Sequence, residues 1–111
     1  MNAFDILGDP VRRRILELLA LSELSSGQIV AIISDEFGVT QPAVSQHLRV
    51  LRDSGFATVR AEGTRRYYSF DVTGLDPVAA WLSNLRGFWE RQLDALETEV
   101  ARGKRDRNRA N

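Results

Sequence analysis

The sequence predicts a mainly α domain with one small β-hairpin, an α+β arrangement in which a helix-turn-helix pair precedes the hairpin. Three observations carry this expectation. Apolar residues recur at helical spacing in several stretches, bounded by capping residues, glycines or Asp-Pro steps. Residues 56–70 alternate on either side of Glu62-Gly63, as paired strands do. Gly38 leaves a turn of about three residues between the third and fourth helices, which is helix-turn-helix spacing.

The elements follow in order. Asn2 caps a short first helix, with Asp5 placed to reach back, and Gly8 ends it. Asp9-Pro10 restarts the chain with an N-cap and a proline suited to the first helical position. The second helix runs to about Ala20, with Val11, Ile15, Leu18 and Leu19 as its stripe. Ser25 and Gln28 form a capping box for a third helix at about 26–37, whose inner face is Ile29, Ile32, Ile33 and Phe37. Gly38 supplies a left-handed stop. Thr40 caps a fourth helix that tolerates Pro42 in its first turn, packs through Val44, Leu48 and Leu51, and ends at Gly55. In the hairpin, Arg66, Tyr68 and Phe70 share one face and Arg65, Tyr67 and Ser69 the other, with Tyr68 and Phe70 as the packed pair. Asp76-Pro77 opens the longest helix, about 77–102. Residues 103–111, "GKRDRNRAN", have no apolar anchor and read as a basic, unstructured tail after a domain spanning 1–102.

Composition narrows the chemistry. The chain has 111 residues, one domain by length, with 43% hydrophobic and 27% charged residues, ordinary for a soluble globular protein. It has no cysteine, which removes disulfides, thiolate metal sites and cysteine nucleophiles together and fits a reducing cytoplasm. Met1 to Asp9 carry two aspartates and no basic residue, so no leader is expected. No apolar run approaches the ~18 residues of a membrane span. Net charge is zero, but it is segregated. Residues 1–38 set three arginines against six carboxylates, a net −3. Residues 39–70 set five arginines against two, a net +3, and residues 71–111 balance. A polyanion responds to that local field rather than to the total.

Three motifs in sequence, "DPVRRRILELL", "QPAVSQHLRVLRDSG" and "EGTRRYYSF", resemble those of the ArsR/SmtB family of bacterial transcriptional repressors. The resemblance covers roughly residues 3–100 and implies a homodimeric winged helix-turn-helix, dimerised through its first and last helices. The dimer interface implied is Phe4, Ile6, Leu7, Trp81, Leu82, Leu85, Phe88, Trp89, Leu93 and Leu96. The last helix supports this independently: its apolar stripe extends over about seven turns, more than so small a core needs.

The residues themselves point to double-stranded DNA. With Val44, Leu48 and Leu51 turned inward, the fourth helix presents Ser45, Gln46 and Arg49 outward, and Thr40 and Gln41 at its exposed start. A helix fits the B-DNA major groove; Gln pairs with adenine, Arg with guanine and Ser with either. Thr40 and the first N–H groups suit a phosphate. In the wing, Arg60, Arg65 and Arg66 are positioned for phosphate or minor-groove contacts. The plainer alternative is a solvated helix face and a charged hairpin that protects its own edge.

Other chemistry is poorly supported. His47, the single histidine, flanks the buried face of the fourth helix and reads as a half-buried packing residue; no metal and no cofactor are expected. Where metal-sensing relatives carry cysteines, this chain has Ser25, Ser26 and Gly27. Glu90, Asp94 and Glu97 align on the last helix, a row that reads as a solvated face with pairs such as Arg91 with Asp94. Trp81, Phe88 and Trp89 are core or interface residues or, alternatively, line a small-molecule pocket. The Arg12-Arg13-Arg14 run reads as a solvated helix face. Ser45, His47 and Asp53 point in different directions, so no catalytic triad forms and no enzyme is expected. The alternatives to an operator-binding repressor are a winged-helix module that docks a protein partner and a repressor responsive to a ligand or metal; no effector is named by these residues.

Overall fold

The computed structural model describes residues 1–110. The order is α1 (Ala3–Gly8), α2 (Pro10–Leu21), β1 (Leu24–Ser25), α3 (Ser26–Phe37), α4 (Gln41–Asp53), β2 (Ala57–Glu62), β3 (Arg65–Phe70), a 3₁₀ turn (Val72–Leu75) and α5 (Asp76–Ala110). This is the mainly α winged helix-turn-helix architecture expected from the sequence. The caps explain most boundaries. Asn2 and Asp5 form a reciprocal capping box on α1, as Ser25 and Gln28 do on α3. Asp9 accepts from the N–H groups of Val11 and Arg12 at the start of α2. Gly38 ends α3 with φ +68°, a left-handed conformation that costs glycine little and tightens the turn into α4.

Three features differ from the expectation. The hairpin gains a third strand: β1 pairs antiparallel with β3 through Leu24↔Tyr68 and Ser25↔Tyr67, giving the order β1-β3-β2. Two residues in front of a helical cap carry too little pattern to read as a strand. The hairpin turn falls on Gly63-Thr64, because Glu62 still pairs with Arg65. The chain enters α5 through the 3₁₀ turn, so Asp71 is the capping residue, accepting from Thr73 N–H, and Asp76 is already helical.

α5 also continues to Ala110, so the stretch from Gly103 that read as an unstructured tail is helical as far as it is described. Ala101, Arg102, Lys104 and Arg105 are strong helix formers, and cations near a helix C-terminus oppose the macrodipole. Asn111 lies outside the described residues. Two compact units divide the chain, Met1–Val78 and the remainder of α5 from Ala79, a boundary inside the span expected as one domain.

The first unit is built on one core. Ile6, Ile15, Ile29, Ile33, Val44, Leu48, Leu51 and Phe56 are fully buried, and Val11, Leu16, Leu19, Ala57 and Tyr68 close around them. Each large aliphatic side chain contributes about 1.5–3 kcal/mol on burial. Of the expected pair, Tyr68 is buried and Phe70 packs against the core edge. Phe37, expected inside, is 39% exposed, because α3 ends there and its last side chain clears the core. Gly74 lets the 3₁₀ turn press against the end of α4: a Cβ there would lie 2.7 Å from the Gly55 carbonyl oxygen and 2.9 Å from Phe56 Cα.

Candidate nucleic-acid interface

α4 has two distinct sides. Val44, Leu48 and Leu51 are buried, which fixes the rotation of the helix, while Gln41, Ser45, Gln46 and Arg49 stand exposed on the other side. The cap holds the N-terminus: the Thr40 hydroxyl accepts from Ala43 N–H at 3.3 Å. Arg49 takes part in no ion pair or side-chain hydrogen bond among the described residues, so its guanidinium is uncommitted. Arg52, one turn on, is paired with Asp53 at 3.2 Å.

The three wing arginines are not equivalent. Arg65 and Arg66 are exposed and unpaired among the described residues. Arg60, expected as a DNA contact, is already engaged. Its Nη2 lies 2.6 Å from Glu23 Oε1, its Nη1 lies 2.7 Å from Glu62 Oε2, and its guanidinium carbon sits 4.5 Å from the centre of the Tyr67 ring. Cross-strand pairing of Arg60 with Tyr67 places both on the outer face of the hairpin. Its charge is therefore matched within the protein.

Glu23 organises that face, and no local pattern of residues marks it. It accepts from Arg60 on β2 and, at 3.0 Å, from the Ser69 hydroxyl on β3, so it holds both hairpin strands from the α2–β1 connection. The hydrogen bonds from Arg60, and after them the one from Ser69, hold the Glu23 carboxyl below its ordinary range against the opposing effect of desolvation.

The Arg12-Arg13-Arg14 run, read as a solvated face, is instead a set of three structural ties. Arg12 donates from Nε to the Ile6 carbonyl and from Nη2 to the Asp5 carbonyl, both at 2.9 Å. Its Nη1 lies 3.4 Å from His47 Nδ1 on α4 and 4.0 Å from Asp9 Oδ2. The side chain is only 12% exposed. Arg13 donates to the Leu7 carbonyl, and Arg14 joins α2 to α3 through Glu36 at 2.9 Å. Helical spacing could not show this, because the partners come from α1, α3 and α4. Burial tends to raise the Asp9 carboxyl, but the N–H donors of Arg12 and Val11 and the nearby His47 and Arg12 outweigh it and leave Asp9 below its ordinary value. His47 is half-buried and takes the packing role expected of it.

Among the residues expected at a dimer interface, Ile6 is a correction: it is completely buried in the protomer's own core and has no surface for a partner. Leu7 packs partly against the same core, and Phe4 is 45% exposed. On α5, Trp81, Leu82, Leu85, Phe88, Trp89, Leu93 and Leu96 all keep large exposed areas. No group of three His, Cys, Asp or Glu converges as a metal site among the described residues, and the surface pair on α5 is Arg86 with Glu90, not Arg91 with Asp94. No described helix is long and apolar enough to cross a membrane.

A helix-turn-helix with an exposed polar face on its second helix and a three-stranded wing defines a winged helix-turn-helix transcriptional regulator. Comparison with known proteins agrees. The model of the arsR family of bacterial regulatory proteins matches residues 9–59, from the cap of α2 into β2. The HTH-type transcriptional regulator Rv2034 of Mycobacterium tuberculosis is 42% identical over 92 residues, 83% of this chain and 79% of that one. The transcriptional repressor SdpR of Bacillus subtilis is 31% identical over 83 residues, 75% of this chain and 88% of that one. Among solved structures, the homodimeric winged helix-turn-helix DNA-binding domain of Mb0332 from Mycobacterium bovis superposes with a TM-score of 0.57 at 26% identity, over 77% of this chain and 75% of that one. The chain belongs to the arsR family of bacterial regulatory proteins.

Proposed function

We propose that the protein is a homodimeric repressor that binds a double-stranded DNA operator in the cytoplasm. Each copy places α4 in one major groove, with Gln41, Ser45, Gln46 and Arg49 toward base edges, and half-sites about one helical turn apart on an imperfect palindrome. Thr40, Arg65 and Arg66 contact the backbone. The observation that carries this reading is the division of α4: one side is locked in the core, and the other bears hydrogen-bonding side chains that the fold does not use.

A second copy accounts for α5. Leu82, Leu85, Phe88, Trp89, Leu93, Leu96 and Val100 follow one another at helical spacing and are between 40% and 61% exposed. An apolar stripe of that length calls for a partner helix. Support also comes from the structural neighbour described as homodimeric. A protein partner on this stripe is the rival reading, and sedimentation of the purified chain separates the two, because only self-association yields a dimer without a second component.

The direct test is a titration of labelled duplex carrying the protein's own promoter region. Arg49→Ala is expected to cost about 1–3 kcal/mol on the preferred site and to relax the preference at one base position. Unchanged affinity and preference in that variant would remove α4 from the reading role.

A further inference from the structure

Between α4 and the hairpin lies a cleft of about 360 Å³, lined by Ser26, Ser45, Arg49, Arg52, Arg66 and Tyr68 with Leu48 beneath them. Three arginines and no carboxylate face it. Tyr68 adds a second, independent sign. The residue is only 7% exposed, and its hydroxyl has no hydrogen-bond partner among the described residues. No buried side-chain oxygen or nitrogen is left unpartnered among them, so this hydroxyl must keep contact with solvent, and the cleft is the surface that Tyr68 lines. A polar tip left open on an otherwise buried ring, in a cleft lined by three arginines, is a set of donors suited to an oxyanion.

We infer that this cleft is a phosphate clamp for one phosphodiester of the bound duplex, with Arg52, Arg66 and the Tyr68 hydroxyl as its donors. The inference rests on the reading of α4 and the wing as the DNA-binding surface and adds residues to it. Major-groove contacts at Ser45 and Gln46 and wing contacts at Arg65 leave a strand of backbone passing between them. The clamp fixes that strand and so sets the depth at which α4 enters the groove. Arg52 reaches the cleft from the last turn of α4; its partner Asp53 is exposed and does not line the site, and a solvent-exposed pair of this kind exchanges at little cost. Contacts of this kind position the protein without reading sequence.

The test uses the full chain and two variants. Tyr68→Phe removes one oxygen that the fold does not pair, and Arg52→Gln removes one charge. Tyr68→Phe is expected to weaken binding to specific and unrelated duplexes alike by about ten-fold, the scale of one hydrogen bond to a charged group. Arg52→Gln is expected to lower the slope of log affinity against log salt by about one. If both variants bind like the parent while Arg49→Ala loses affinity, the reading of α4 stands and the clamp is overturned. If the parent binds no duplex, the DNA reading falls, and titration with inorganic phosphate followed by backbone amide shifts decides the cleft alone. Saturable shifts at Ser26, Ser45 and Tyr68 that vanish in Arg52→Gln keep a phosphate site for a free ligand, and their absence removes it.

Discussion

Replacing Arg12 by methionine keeps a long apolar stem and deletes the guanidinium. That group donates to the carbonyls of Asp5 and Ile6 at 2.9 Å each and approaches His47 Nδ1, with 12% of the side chain exposed. Hydrogen bonds to a charged donor contribute about 1.5–3 kcal/mol when buried, and the Asp5 bond is the more exposed of the two. A loss of about 2–4 kcal/mol follows. With a urea dependence of about 2 kcal/mol per molar for a chain of this size, the unfolding midpoint should fall by about 1–2 M. Arg13→Met is the control, since Arg13 holds only the Leu7 carbonyl from an exposed position and should shift the midpoint much less. Both variants must be compared at one protein concentration, because dimerisation contributes to apparent stability. Equal midpoints for the two would show that the Arg12 network adds nothing beyond an ordinary surface arginine, and the account of α1 anchoring would fail.

Other predictions concern charge and assembly. Arg65→Ala and Arg66→Ala should each lower the salt slope of DNA binding by about one, whereas Arg60→Ala should leave it nearly unchanged, since Arg60 is matched by Glu23 and Glu62; gel shifts across a salt series distinguish them. Stability should decline on acidification. Asp9, Glu23, Glu36 and Asp71 all have folded values below their ordinary ones, so their contribution is complete above the ordinary carboxylate range of about 4 and is lost as pH falls below that range through the lowered folded values. Thermal unfolding between neutral pH and about pH 3 measures this, and a flat profile would contradict it. Leu85→Asp with Leu93→Asp places charges in the exposed stripe of α5 and should yield a monomer in sedimentation velocity, with weaker operator binding but an intact first unit by circular dichroism.

Local signals were the readable part of this fold. Caps at Asn2, Asp9, Ser25 and Thr40, the stop at Gly38 and the stripe Val44-Leu48-Leu51 all act within a turn or two of chain, and periodicity exposes them. The exposure of Arg49, Arg65 and Arg66 followed from the same faces. What stayed hidden depends on residues far apart in sequence. Arg12 meets His47, Glu23 meets Arg60 and Ser69, and β1 finds β3 only once the chain has folded. A charged residue looks the same in sequence whether it waits for a ligand or is held by a distant carboxylate, which is why Arg60 read as a DNA contact. The continuation of α5 past Gly103 was obscured for another reason: its residues lack an apolar stripe, yet helix propensity and end charges still favour the helix.

The grip of Glu23 on both strands of the hairpin has a consequence for target choice. On the proposed reading, a wing tied to the body through Arg60 and Ser69 resists swinging, so the span from the α4 ridge to Arg65 is held near one value before a duplex arrives, like the jaws of a gauge. A duplex bound in that way would adjust its own groove width, and sequences that deform cheaply at pyrimidine–purine steps would gain an advantage at positions that no side chain touches.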